Sequence, residues 1–97
     1  MRPVTLADIE VAARVLMAVA EQDRPKLMAE LITRATVADR HRQQVQRPHP
    51  AFGTGTLMSA AQGFATAPRP LCLADDELCA YALVVGALIG CRTYQEL

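Results

Sequence analysis

Between Leu78 and Cys91 the chain carries no charged residue. As a helix this stretch rises about 21 Å at 1.5 Å per residue, short of a hydrocarbon core of about 30 Å. Its short apolar length and acidic start count against a membrane segment, although its small-residue stripe would also suit association in lipid. Its apolar residues fall on every side of a helix, which places such a helix at the centre of a fold or in an interface. Ala82, Gly86 and Gly90 recur every four residues and put small side chains on one stripe. Another backbone can approach such a stripe closely. An interior glycine costs roughly 1 kcal/mol relative to alanine, so close packing is a fitting compensation.

The rest of the chain is compatible with that helix. Hydrophobic residues make up 52% of the 97, aromatic residues only 4%, and tryptophan is absent. The apolar mass is therefore aliphatic, which favours helices over strands. The length is enough for one domain, residues 1–97, and too little for two. Three cysteines, Cys72, Cys79 and Cys91, are an odd number without repeated spacing, so no disulfide framework is expected. The N-terminal segment carries Asp8, Glu10 and Arg14 and lacks the unbroken apolar stretch of a signal peptide. A cytoplasmic protein is expected, with no membrane role.

Helix boundaries are written in the local sequence. Thr5 is a candidate N-cap with Asp8 three residues on, an acidic form of the capping box. Leu6, Ile9, Ala13, Leu16 and Ala20 follow at helical spacing, and the helix is expected to end near Glu21 or Gln22. A second helix starts at Asp23, with Pro25 tolerated in its first turn. Its expected buried face is Leu27, Met28, Leu31, Ile32, Ala35 and Ala38. From Asp39 the sequence turns polar, which predicts an exposed extension to about Gln46. Pro48 and Pro50 stop it. Thr54 or Thr56 caps a short third helix from Leu57 to about Phe64. After a loop with Pro68 and Pro70, the last helix starts near Asp75, Asp76 and Glu77, whose carboxylates suit a helix N-terminus. The expected fold is all-α, a compact four-helix bundle-like domain of three longer helices and one short one, with the last helix (76–94) central. The expected core is Ile9, Leu16, Leu27, Leu31, Ile32, Leu57, Leu78, Val85 and Leu88, with Cys79 and Cys91 as small core residues.

The formal net charge is zero. It hides a basic middle: residues 34–50 hold Arg34, Arg40, Arg42 and Arg47 against Asp39 alone, together with His41 and His49. Arg40, Gln43, Gln44 and Arg47 can share one side of a helix, and arginine and glutamine suit phosphate and base contacts. No aromatic residue is interleaved for stacking, and no helix-turn-helix pattern stands out. The same arginines also suit a solvated helix end. Gly53 and Gly55 open a loop that leads into a helix, an arrangement able to aim backbone N–H groups at an anion, with Arg47 and His49 adding positive charge. It lacks a preceding strand and the spacing of a nucleotide-binding loop. A flexible helix-to-helix loop with a threonine cap is the simpler explanation.

No catalytic constellation can be read. Asp75, Asp76 and Glu77 fan around a helix start, and Ser59 has no adjacent base. His41 and His49, or Cys72 and Cys79, do not have metal-ligand spacing, so neither a metal nor a cofactor is expected.

Ala38 to Arg42, then Arg47 to Pro50, then Gly53 to Met58, resemble a family of short helical alphaproteobacterial proteins of unknown function. The resemblance covers most of the chain. It implies a bacterial, cytoplasmic setting and a small accessory or regulatory role, and no site residue comes with it.

Two main functions fit. The first is a small helical protein-interaction module, adaptor or regulator, binding another protein or itself through the 76–94 seam without catalysis. The second is a nucleic-acid-associated factor, as in phage-like packaging or regulation, that meets phosphates through the basic 34–50 segment with Arg40, Arg42 and Arg47; a ligand module that reads anions at the Gly53 and Gly55 loop, with Arg47 and His49 near, comes third.

Overall fold

A computed structural model describes the backbone of residues 1–96 and the side chains of residues 1–91. Helix α1 spans Leu6–Met17. Its start is the capping box expected from Thr5 and Asp8. Thr5 Oγ1 accepts the Asp8 N–H at 3.2 Å, and Asp8 Oδ2 accepts the Thr5 N–H at 2.8 Å. The helix stops at Met17, before the expected Glu21 or Gln22. The Arg24 side chain explains the early stop: its Nε donates to the Leu16 carbonyl at 2.9 Å, satisfying an acceptor that a longer helix would have used.

A 3₁₀ turn, Glu21–Asp23, leads into α2, Arg24–Val45, with Pro25 in the first turn. Asp23 precedes the helix but its side chain makes no capping bond, because the turn itself sets the entry. Helix α2 ends on Gln46 in the left-handed conformation (φ 61°), whose N–H returns to the Arg42 carbonyl at 2.8 Å. Helix α3 is a single turn, Leu57–Ala60, capped by Thr56. It is shorter than expected because the chain turns at Gly63 (φ 91°), which sends Phe64 back over α2. The next segment runs along α1: the Ala67 N–H donates to the Arg14 carbonyl at 2.9 Å, and Arg14 Nε donates to the Ala67 carbonyl at 2.8 Å. Helix α4 is Asp75–Glu96. The fold is all-α, with no strand among the described residues.

The core gathers on α1. Ala12, Ala13, Val15 and Leu16 are buried, and α2, α3 and α4 all pack against this helix. Met28 and Leu31 of α2, Leu57 of α3, and Ala80, Val84 and Leu88 of α4 complete the cluster. Each fully buried large aliphatic side chain contributes about 1.5–3 kcal/mol by leaving water. Of the expected core, Leu16, Leu31, Leu57 and Leu88 are buried, while Ile9, Leu27 and Ile32 are partly buried against the cluster.

Leu78 and Val85 are not core: both are exposed. The last helix is therefore not central; α1 is. An all-apolar helix has no polar side to mark its outside, so its own sequence cannot choose the buried face. Packing against α1 and α2 selects Ala80, Val84 and Leu88, and leaves the opposite side open. Cys79 lies on that open side and is likewise not a core residue.

Candidate interaction surface

The basic segment comes apart when its side chains are placed. Arg40 and Arg47 are exposed and make no ion pair among the described residues. Arg42 lies back on α2, where its Nη2 donates to Asp39 Oδ1 at 2.8 Å. Asp39 is buried, contrary to the exposed extension expected there. Its Oδ2 also accepts from Gln43 at 3.2 Å and lies 3.4 Å from the Met1 amino group. The Arg42 hydrogen bond, helped by the Met1 ammonium, holds the Asp39 carboxyl below the ordinary carboxylate range, although burial pushes the other way.

Gly55 explains why Asp39 is covered. At φ 96°, it lies so close to α2 that a Cβ would sit 2.8 Å from Asp39 Cα and Cβ. The Gly53 N–H donates to the His49 carbonyl at 3.1 Å, and the Thr54 N–H donates to Ser59 Oγ at 3.3 Å. These two N–H groups are committed within the loop. The loop's glycines thus serve turning and close packing, and the structure does not bring Arg40, Arg42, Arg47 and His49 to one point with them.

What does assemble on α2 is a stack that spacing alone did not disclose. His49 Nδ1 accepts the N–H groups of Ala51 and Phe52, both at 3.0 Å, which fixes the loop. The His49 ring stacks on Phe52 with centroids 4.6 Å apart, and His41 meets His49 edge-on at 5.1 Å. Arg34 lies between the Phe52 and Phe64 rings, 5.0 and 4.9 Å from their centroids, and pairs with Glu30 at 2.7 Å. Stacking aromatics were not expected beside the basic residues. They come from the loops, and they lie against Arg34. The available signal was the seven-residue step from Arg34 to His41, about two helical turns, which puts both on one side of α2. Such cation–π contacts contribute about 0.5–1 kcal/mol each at exposed sites.

Among the described residues no three His, Cys, Asp or Glu side chains gather in a way that could hold a metal ion. A shallow pocket of about 410 Å³ lies between Arg2, Pro3, Thr5, Asp8, Thr56 and Met58. The Asp8 carboxylate there is taken up by Thr5 and Met58. No helix of the described residues is long and apolar enough to cross a membrane.

Helix α4 offers an extended surface of a single character among the described residues. Between Leu78 and Gly90 its exposed residues are Leu78, Cys79, Ala82, Val85, Gly86, Ile89 and Gly90. None carries a charge or a hydrogen-bonding side chain beyond the thiol. Leu78 is 50% exposed, Val85 40% and Ile89 61%. At the head of the helix Asp76 bonds Arg24 at 2.9 and 3.3 Å, which lowers the pKa of its carboxyl, while Asp75 stays exposed.

With this geometry in place, the family model described as a domain of unknown function, DUF7742, matches residues 2–88. The chain belongs to that family. The match spans the capped start of α1, the stack on α2 and α4 as far as Leu88. Neither the curated proteins nor the solved structures contain a match.

Proposed function

We propose that this DUF7742 domain is a small helical interaction module, an adaptor or regulator that acts by binding and not by catalysis. The observation that carries this reading is the open face of α4: every exposed side chain from Leu78 to Gly90 is apolar or small. Contiguous apolar surface on a water-exposed helix marks a site of protein contact. The basic segment supports the alternative less well. Only Arg40 and Arg47 stand clear of the fold, whereas Arg42 and His49 are engaged within it. The reading includes a bacterial, cytoplasmic setting, on the resemblance to alphaproteobacterial proteins.

Photo-cross-linking in cells tests it. A cross-linker at position 89, on the α4 face, is compared with one at position 40, on the polar end of α2. Adducts confined to position 89 are expected. Protein or nucleic-acid adducts confined to position 40 would move the function to the basic segment. The substitution pair Val85→Glu with Ile89→Glu should leave the melting temperature within a few degrees, because surface changes lie within about 0.5 kcal/mol. Unfolding of that variant would show that the face is not an open surface.

A further inference from the structure

We propose that the connection between α2 and α3 carries an acid-sensitive latch, separate from the α4 face: a proton taken up by His49 releases the 49–52 turn from α2 while the rest of the fold stays in place.

The latch is the Nδ1 atom of His49. It accepts two main-chain N–H groups, from Ala51 and Phe52, each at 3.0 Å. A ring nitrogen that accepts carries no proton, so the neutral ring of the closed turn has its single N–H at Nε2. An imidazolium donates from both nitrogens and accepts at neither. Protonation therefore puts a third N–H where two already point, and both hydrogen bonds are lost together. The closed turn and the protonated ring exclude each other. Closure is complete where His49 is neutral and is lost as the pH falls. Histidine is the side chain whose ordinary charge change lies between about pH 5 and 8.

The charges around the ring act in the same direction. From α2, His41 meets His49 edge-on at 5.1 Å, and Arg34 lies 5.0 Å from Phe52, the ring on which His49 stacks. Arg47 stands two positions ahead of His49 and is exposed. The nearby acids of α2 are engaged elsewhere: Glu30 with Arg34, and Asp39 with Arg42, Gln43 and the Met1 amino group. Phe64, which reaches Arg34 from beyond α3, brings no charge. A positive ring would gain one contact, with the face of Phe52, but Arg34 already draws on that ring. One shared ring does not offset two lost hydrogen bonds among neighbouring cations.

The two halves of the connection differ in what holds them. Residues 54–56 are fixed from outside: Thr54 and Thr56 hydrogen-bond Ser59, the Gly55 carbonyl accepts the Arg2 N–H at 2.9 Å, and Gly55 abuts Asp39. Residues 49–52 make no hydrogen bond to α2 among the described residues. They are held by the His49–Gly53 bridge, the Nδ1 acceptor and the ring contacts. Gln46 at φ 61° and Gly53 at φ 86° flank this half and let it turn. Its release separates His49 from His41 and Phe52 from Arg34, and leaves Gly55 seated on α2.

Solution NMR on the full chain tests the latch from about pH 8 to about pH 5, with wild type, His49→Asn and His41→Asn. Asparagine at position 49 offers a side-chain oxygen to the same N–H groups, as in an Asx turn, and does not titrate. In wild type the Ala51 and Phe52 amide signals should move in one step with the His49 ring signals. Their order parameters should fall from about 0.85 to below about 0.6, while the amides of Val15 and Leu31 stay unchanged. His49→Asn should keep the turn closed down to about pH 5, and His41→Asn should retain the step. A wild-type turn still closed at about pH 5 overturns the latch, whether His49 has stayed neutral or has taken up a proton. The same step in His49→Asn, or its loss in His41→Asn, assigns the trigger to another group and overturns it too. So does a step in which the Val15 and Leu31 amides move with the turn, because the whole domain is then unfolding.

Discussion

Asp8 Oδ1 accepts the main-chain N–H of Met58 at 3.0 Å, across fifty positions of sequence. Its other oxygen receives the Thr5 N–H, so one buried carboxylate serves the starts of both α1 and α3. Asp8→Ala would remove a cap and leave the Met58 N–H without its partner. We expect a loss of about 2–3 kcal/mol in urea unfolding, from a cap worth about 1 kcal/mol and a buried donor worth about 1–3. Asp8→Asn, which keeps a carbonyl acceptor, should lose less. Equal losses in the two variants would count against the bridging role.

Gly55 and Gly63 both have positive φ, yet they differ in what surrounds them. Gly63 has open space, and Gly63→Ala should cost about 1–2 kcal/mol for the backbone conformation alone. Gly55 faces the Asp39 backbone, so Gly55→Ala adds a clash that α2 can relieve only by moving. It should lower the melting temperature clearly further, at about 4–8 °C per kcal/mol for a domain of this size. Identical melting temperatures would show that the loop shifts freely off α2.

The Asp39 carboxyl is held below its unfolded value, so its ionised form is the one folding favours. Its contribution is fully present above the unfolded pKa of about 3.9 and is lost as pH falls through the lower folded value. The unfolding free energy should therefore drop on acidification below about pH 4. Asp39→Asn should flatten that part of the profile. An unchanged slope in the variant would assign the acid sensitivity to other carboxylates.

Arg24 reaches three helices: it begins α2, donates to the last turn of α1 at Leu16, and pairs with Asp76 at the head of α4. Burial opposes the charge, but the hydrogen bond to Asp76 raises the Arg24 pKa and the guanidinium stays protonated. Lysine is a point charge without the planar fork, so it cannot serve both acceptors in this geometry. Arg24→Lys is expected to destabilise the chain by about 1–2 kcal/mol, measured by denaturant titration. A neutral outcome would mean that the Leu16 carbonyl finds another donor.

These relationships differ in how far they can be read before folding. Thr5 with Asp8, Pro25 in the first turn of α2, and Thr56 ahead of Leu57 were legible because a cap acts within about one turn of chain. The halt of α1 at Met17 was not, since it depends on Arg24 reaching back to Leu16. Asp39 reads as the start of a solvated extension, and only the approach of Gly55 makes it a buried carboxylate. Spacing does not disclose the contact of His41 with His49, because the loop that folds His49 onto α2 is closed by the His49–Gly53 bridge.

The helical character of the chain, the starts of most of its helices and the shortness of the charge-free run 78–91 relative to a bilayer can all be read from residue order. Those properties follow from local propensity, capping and length, which act along the chain. The side of α4 that is core follows from packing and not from residue order. That helix is apolar all round, so its buried face is set by the shape of α1 and α2 against it. The side they leave open is the surface through which the domain is proposed to act.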